Sequence, residues 1–286
     1  MLSNCFIYNC LHDMSEEIRK AVLTIAGFDP SSGAGITADL KTIAAHGHYG
    51  TACVTALTVQ TTRGVLRSEP IGPDLVRETL DALMDDLPPA AIKIGMLGSA
   101  DVAGVVAEFL RAHRPRKVIL DPVFHSSSGA ELLDEAGREL LSREMLALAE
   151  VTTPNLAEAS LLTGIAVTDV ASAKAACRRL SAMGARNIVV TGGHFEHPTD
   201  LLAERHEGTL AFREYPGERI HTPNTHGTGC AFSTALACEL ASGKNLADSV
   251  LAAKDYVAKA LRNSYSIGKG IGPVDHFFTA REPIER

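Results

Sequence analysis

The stretch AVLTIAGFDPSSGAGITADLKTIAAHG (residues 21–47) decides how the chain is read. AVLTIA is a short apolar run of strand character, and ITADLKTIAAHG has helical spacing closed by Gly47 in a C-cap position. Between them lies the glycine-rich loop GFDPSSGAG (27–35). A Walker loop requires GxxxxGK[ST], whose lysine reaches the outer phosphates. Here the spacing of Gly27 and Gly33 differs, and Ile36 follows Gly35 where no lysine stands. The dinucleotide pattern GxGxxG/A does match from Gly33 to Ala38. However, Phe28 to Ser32 separate it from the strand, and Gln60 stands where an acid would hold a ribose. The loop instead carries one carboxylate, Asp29, which repels phosphate but accepts hydrogen bonds from hydroxyl or amine groups. It reads either as a site for a small polar molecule or as a plain Asp-Pro-Ser-Ser turn.

The same strand, loop and helix alternation continues along the chain. TACVTALTV (51–59) precedes a loop and a helix over 73–86; AIKIG (91–95) leads to a helix over 101–113; KVILD (117–121) leads to one over 136–149. VTTP and NLAEASLLTG give a short strand and a helix capped by Asn155. A helix over 171–183 precedes NIVVTGG (187–193), TDLLAE and GTLAFREY form an antiparallel hairpin, and helices over 230–241 and 246–264 follow. Buried strands separated by helices predict a three-layer α/β/α sandwich around a mostly parallel sheet. No linker divides the chain, so residues 21–286 read as a single domain. Ligands of such sheets bind beyond the carboxyl ends of the strands. Asp29, Gln60, Met96, Asp121, Asn155 and the Gly192-Gly193 pair all fall just after predicted strands.

Composition bounds the partners. With 286 residues, 45% of them apolar, and a net charge of −7, the chain suits a sizeable core and does not suit a nucleic-acid backbone. Its apolar runs are too short to span a bilayer. The six cysteines (Cys5, Cys10, Cys53, Cys177, Cys230, Cys238) include no CxxC pair or zinc spacing, which predicts reduced thiols in a cytoplasmic protein. Residues 1–20 fit no secretory signal and read as a disordered leader, or as the product of a start codon upstream of Met14.

The phosphate signal lies in NTHGTGCAFSTALACELASG (224–243). Gly227-Thr228-Gly229 lets successive backbone N–H groups turn toward one point, where a helix N-terminus adds positive potential. A phosphoryl group in transfer is stabilised by such a cradle. Cys230 stands in the first helical turn, where a thiol pKa is expected below about 8.5; there it is placed to take a proton from an attacking hydroxyl. The alternative is close helix–strand packing with Cys230 as filler. His226 adjoins the cradle as a candidate or as a turn cap, and His194 and His197 read as solvated or nucleotide-lining.

TIAGFDPSSGAGITADLKT (24–42), VTALTVQTTRGV (54–65), KIGMLGS (93–99), LDPVFHSSSG (120–129), TPNLAEASLLTG (153–164), NTHGTGCAFSTALA (224–237) and GKGIGPV (268–274) together resemble the hydroxymethylpyrimidine/phosphomethylpyrimidine kinases of thiamine biosynthesis, within the ribokinase-like superfamily. The resemblance runs in register from about residue 21 to residue 277. It implies two ATP-dependent phosphorylations at one site. Gln60 would bind the pyrimidine edge, Asp29 would hold polar groups of the substrate, and Gly27, Met96 and Val123 would line its pocket. Cys230 would be the base, with Gly227, Thr228 and Gly229 as the anion hole. Asn155 and Glu158 would hold Mg²⁺–ATP through water, Asp121 would lie by the phosphates, and Thr191 and Gly193 along the nucleotide. A homodimer is implied too. Many members carry a lysine where Thr191 stands, so its phosphate contact is either absent here or supplied by Lys254 or Lys269. Lys93 is left open between ligand contact and a buried ion pair. The rival readings are a vitamin B6 kinase acting on pyridoxal and a ligand-binding protein without phosphoryl transfer.

Overall fold

The computed structural model describes residues 19–126 and 128–281. The leader reading for residues 1–20 therefore lies almost wholly outside the described residues. The strands are β1 (Ala21–Phe28), β2 (Tyr49–Thr61), β3 (Gly64–Pro70), β4 (Ala91–Ile94), β5 (Val118–Leu120), β6 (Val151–Thr152), β7 (Asn187–Val190), β8 (Thr199–His206) and β9 (Thr209–Pro216). They form one sheet in the order β3-β2-β1-β4-β5-β6-β7-β8-β9. The run from β2 to β7 is parallel, and antiparallel pairs close both edges: β2–β3 on one side, β7–β8 and β8–β9 on the other.

Strand periodicity sorts the core into two layers. Val22, Ala91, Ile119, Val189 and Leu202 pack against α1 (Gly35–Ala45), α8 (Thr228–Ser242) and α9 (Leu246–Arg262). Their neighbours Leu23, Ile92, Leu120, Ile188 and Leu201 pack on the other face. That face is covered by α2 (Pro73–Asp86), α3 (Ala100–His113), α4 (Glu135–Leu140), α5 (Leu146–Leu148), α6 (Leu156–Thr163) and α7 (Val170–Ala182). The three-layer sandwich expected from the alternation is the one observed. No helix of the described residues is long and apolar enough to cross a membrane.

Three local expectations are corrected. The stretch after β2 is not a loop: β3 pairs with it, so Gln60 lies inside a strand. The helix expected over 136–149 is broken by a π turn at Leu141–Met145. Cys230 belongs to α8, which starts two residues earlier than expected.

The chain leaves β1 for β2 on one side and returns to β4 on the other. The strand order thus reverses at β1 and β4, opening a crevice beyond their carboxyl ends. Beneath it lies a buried ion pair that settles the position of Lys93. Lys93 Nζ donates to Asp39 Oδ2 at 2.9 Å and Oδ1 at 3.1 Å, with both side chains 0% exposed. Thr24 Oγ1 donates to the same carboxylate at 2.6 Å and Thr234 Oγ1 at 2.8 Å. Burial works against the ammonium. The Asp39 carboxylate, helped by Cys230 and Asp121, overrides it and holds Lys93 above the usual lysine range. One carboxylate thereby joins β1, β4, α1 and α8. Removing one partner of such a pair leaves an uncompensated buried charge. Lys93→Met is expected to cost about 3–5 kcal/mol in urea denaturation, with much of the loss recovered by adding Asp39→Asn.

Candidate active site

All the residues singled out as catalytic, substrate-binding or nucleotide-binding line one cavity of about 1360 Å³ at the crevice. Its floor is made where two helices begin. Neither α1 nor α8 has a side-chain cap: their N-cap positions are Ala34 and Gly227. Both therefore leave N–H groups and positive potential directed at the floor. Gly35 has φ +57°, and a Cβ there would meet Gly27 O at 2.3 Å. Gly227 has φ +83°, and a Cβ there would meet Gly33 O at 1.9 Å. The first loop and the last are thus pressed backbone to backbone, which only glycine allows. Gly229 differs: nothing lies within 4 Å of its absent Cβ, so its backbone is open to a ligand.

Cys230 is half-buried between the two helix starts, and the Gly35 N–H donates to its sulfur. The expected lowering of its pKa is not found. Loss of hydration dominates and pushes the thiol up to about 11, against the pull of Lys93 and with reinforcement from Asp39 and Asp121. Burial outweighs the helix start here. The resting group is a neutral thiol.

Asp29 is buried, and its loop occupies both oxygens. Oδ1 accepts from Ser31 N at 2.8 Å and Ser31 Oγ at 2.7 Å; Oδ2 accepts from Gly33 N at 3.2 Å and Ala34 N at 2.9 Å. His226 Nε2 lies 2.8 Å from Oδ2 as well. Burial would raise this carboxyl, but the hydrogen bonds from His226 and Ser31 hold it below the usual range. Asp29 therefore organises the loop, and its structural place is both the turn and the cavity wall. On that wall Met96 fills the space of the absent Gly27 side chain, where a Cβ would meet its sulfur at 2.6 Å. Val123 and Gln60 line the same cavity, and the β2–β3 pairing shifts register at Val59/Gln60.

Two acids face the floor. Asp121 is buried and accepts from Ser233 Oγ at 2.9 Å; burial raises its pKa despite Lys93. Glu158 is pushed up to about 8, by burial first and then by the Asp121 charge. Its Oε2 accepts from Asn155 N at 2.8 Å, and Asn155 Oδ1 accepts from Glu158 N at 3.0 Å, which is the capping box of α6. Mutually repelling, poorly hydrated carboxyls fit a divalent cation. Among the described residues no cluster of three or more His, Cys, Asp or Glu is set to hold a metal. A cation here would complete its shell with water and ligand oxygens, as Mg²⁺ commonly does.

Toward the far end, Thr191 N donates to Pro154 O at 3.0 Å, and Gly193 is exposed. Gly192 N donates to Asp200 Oδ1 at 2.8 Å, and Lys254 Nζ to Asp200 Oδ2 at 2.8 Å. Lys254 thus does reach the cavity, whereas Lys269 does not line it. Asp200 was missed because nothing in the strand TDLLAE marks one acid as facing a cavity. His226 was flagged only by proximity, and its partners Asp29 and Gln60 emerge from the fold.

Converging helix ends beneath open backbone suit an oxyanion in transfer, and on this sheet they mark the ribokinase-like class of small-molecule kinases. Within that class the chain belongs to the phosphomethylpyrimidine kinase family, whose profile matches residues 29–275. It is 42% identical over 269 residues to the hydroxymethylpyrimidine/phosphomethylpyrimidine kinase of Haemophilus influenzae, covering 92% of this chain and 98% of that one. It is 41% identical over 270 residues to the thiamine biosynthesis bifunctional protein ThiED of Geobacter sulfurreducens; the match takes in 94% of this chain and 54% of that longer protein. Among solved structures, the pyridoxal kinase of Staphylococcus aureus in complex with AMP-PCP and pyridoxal superposes with a TM-score of 0.81 at 30% identity, covering 92% of this chain and 96% of that one.

The two cradle glycines should part company on substitution. Gly227→Ala is expected to lose at least about 1–3 kcal/mol from its left-handed backbone alone. Gly229→Ala should stay within about 0.5 kcal/mol of the parent in the same urea titration, since its Cβ enters open space.

Proposed function

We propose that this chain, acting in the cytoplasm as a homodimer, uses ATP and Mg²⁺ to phosphorylate the hydroxymethyl oxygen of 4-amino-5-hydroxymethyl-2-methylpyrimidine, and then phosphorylates the monophosphate to the diphosphate for thiamine biosynthesis. One observation carries the reading: the group at the floor of the cradle is the Cys230 thiol, neutral at rest. The first step needs a base to take a proton from an alcohol, and only the minor thiolate fraction of Cys230, whose own proton has gone to solvent, can do so. The second has an ionised phosphate as nucleophile, which a fixed carboxylate would repel and a thiol does not.

In this reading Gly227, Thr228 and Gly229 form the anion hole, with the Thr228 N–H, which reaches Thr225 O at 3.3 Å, turning to the transferring oxygens when they bind. Gln60 meets the ring edge, since an amide both donates and accepts. Gly27, Met96 and Val123 enclose the ring, and Asp29 keeps the loop in place around it. Through water, Asn155 and Glu158 would hold Mg²⁺, which when bound neutralises phosphate oxygens; Asp121 lies by the phosphates, and Thr191 and Gly193 along the nucleotide. The second reading, phosphorylation of pyridoxal, is favoured by the likeness to the pyridoxal-bound S. aureus kinase.

Phosphorus NMR time courses with Mg²⁺–ATP and either the pyrimidine or pyridoxal test both. Monophosphate followed by diphosphate from the pyrimidine is the expected result; pyridoxal phosphate alone would move the enzyme to vitamin B6 metabolism. A thiol at about 11 gains thiolate with each step of pH below that value. The alcohol step should therefore accelerate by up to about tenfold per pH unit between pH 7 and 9, while the phosphate step stays nearly flat. Cys230→Ala should slow the alcohol step by about 100-fold or more and the phosphate step far less. Equal loss in both would remove the thiol from the base role.

Glu158 supplies a second pH signature. With its carboxyl at about 8, it holds its proton at pH 7 and must lose it to face a cation. Binding of Mg²⁺–AMP-PCP at pH 7 should release about one proton, seen as a buffer-dependent heat in calorimetry, and should tighten as pH rises toward 8. Glu158→Gln should abolish the release.

A further inference from the structure

The contacts around Gln60 do not balance if its amide nitrogen faces His226. In that sense Gln60 Nε2 lies 3.3 Å from His226 Nε2, and Thr58 Oγ1 lies 3.2 Å from Gln60 Oε1. Yet His226 Nε2 also lies 2.8 Å from Asp29 Oδ2. The Asp29 carboxylate already accepts from Ser31 N, Ser31 Oγ, Gly33 N and Ala34 N, so it is an acceptor only. His226 Nε2 must then carry a hydrogen, and it has no lone pair for the Gln60 N–H₂. The Thr58 hydroxyl has a single hydrogen, already given to Phe28 O at 2.9 Å, and none left for Gln60.

Turning the amide by half a turn removes both conflicts. The carbonyl then shares the His226 Nε2–H with Asp29, and Gln60 Nε2 donates to the Thr58 oxygen, which donates onward to Phe28 O. The two ends of an amide are assigned by this kind of count. We infer that His226, held by Asp29, fixes the carbonyl of Gln60 toward itself and the N–H₂ toward Thr58 and the cavity, and so determines which donor and acceptor edge of a substrate the enzyme accepts. His226 is thus a positioning residue that sets specificity through Gln60.

The substrate consequence rests on the pyrimidine reading of the cavity. A 4-aminopyrimidine edge presents an N–H donor beside a ring-nitrogen acceptor. The 4-oxo analogue presents the reverse, a carbonyl beside a ring N–H. A fixed amide matches one pattern and meets the other donor to donor and acceptor to acceptor. A site built on buried polar groups rejects such a mismatch strongly.

The test has two arms. In the full-length ¹⁵N-labelled protein, His226 Nε2 should bear a hydrogen, and the Gln60 amide protons should show nuclear Overhauser contacts to the Thr58 side chain. A bare His226 Nε2, or Gln60 amide protons lying against the His226 ring, would overturn the assignment without reference to any substrate. In calorimetry, the parent should bind the aminopyrimidine at least about 100-fold more tightly than its 4-oxo analogue. His226→Phe, which keeps a ring but offers no hydrogen, should lower that preference at least about tenfold, by a gain for the oxo compound. An unchanged preference in the variant would overturn the role of His226. Failure of the parent to bind the aminopyrimidine would sink the functional reading instead, with the amide orientation still decided by the spectra.

Discussion

The buried carboxylate of Asp39 is the constraint on which the site depends. It sits in the first helix, takes two hydrogen bonds from Lys93 on the neighbouring strand, and takes one each from Thr24 and Thr234. An ionised group in that position tolerates little displacement of its donors, because each lost bond exposes charge to an apolar surrounding. The result is a fixed relation between α1 and α8, whose starts form the cradle. Lys93 serves this arrangement twice: it neutralises Asp39, and its charge acts on both the Cys230 sulfur and Asp121.

The cavity above is built from opposing tendencies. Two helix starts without side-chain caps gather positive potential on one side, and Asp121 and Glu158 stand across from them. Burial disfavours the charged form of the ionisable groups there, and a committed partner offsets it. Asp29 has such partners and stays ionised, whereas Glu158 shares its neighbourhood with another acid and keeps its proton. A site in this state is poised for ligands that bring their own compensating charges: phosphates for the helix ends and a divalent cation for the acids.

Much of this was legible in the sequence because it is carried by short-range chemistry. The glycines of GFDPSSGAG and HGTGC announce backbone that must come close to something. Asn155 with Glu158 three residues on spells a helix start. The position of residues just after apolar runs places them at the strand ends. What escaped reading depended on distant partners. GVLRSEP lacks the apolar face of a core strand, and β3 has no buried residue in its pairing with β2. The thiol pKa differs from the expectation because a helix start is visible in sequence, whereas the burial that pushes the thiol up, and the nearby Asp39 in α1 and Asp121 just after β5, come from the fold. The partnership of His226 with Asp29 and Gln60 joins three separate segments, and no spacing rule links them.

The contact between the first loop and the last also bears on how the protein is made. Asp29 and His226 meet across 197 positions of the chain, and Thr234 reaches Asp39 across 195. The parallel core strands emerge from the ribosome long before α8 exists, and their loop GFDPSSGAG lacks its contacts with His226 and Gly227 until then. Closing so long a span is entropically expensive and slow compared with local pairing. The cradle is therefore among the last features a growing chain can complete. Nascent chains ending before residue 224 carry most of the sheet but leave the first loop without the segment that shapes it.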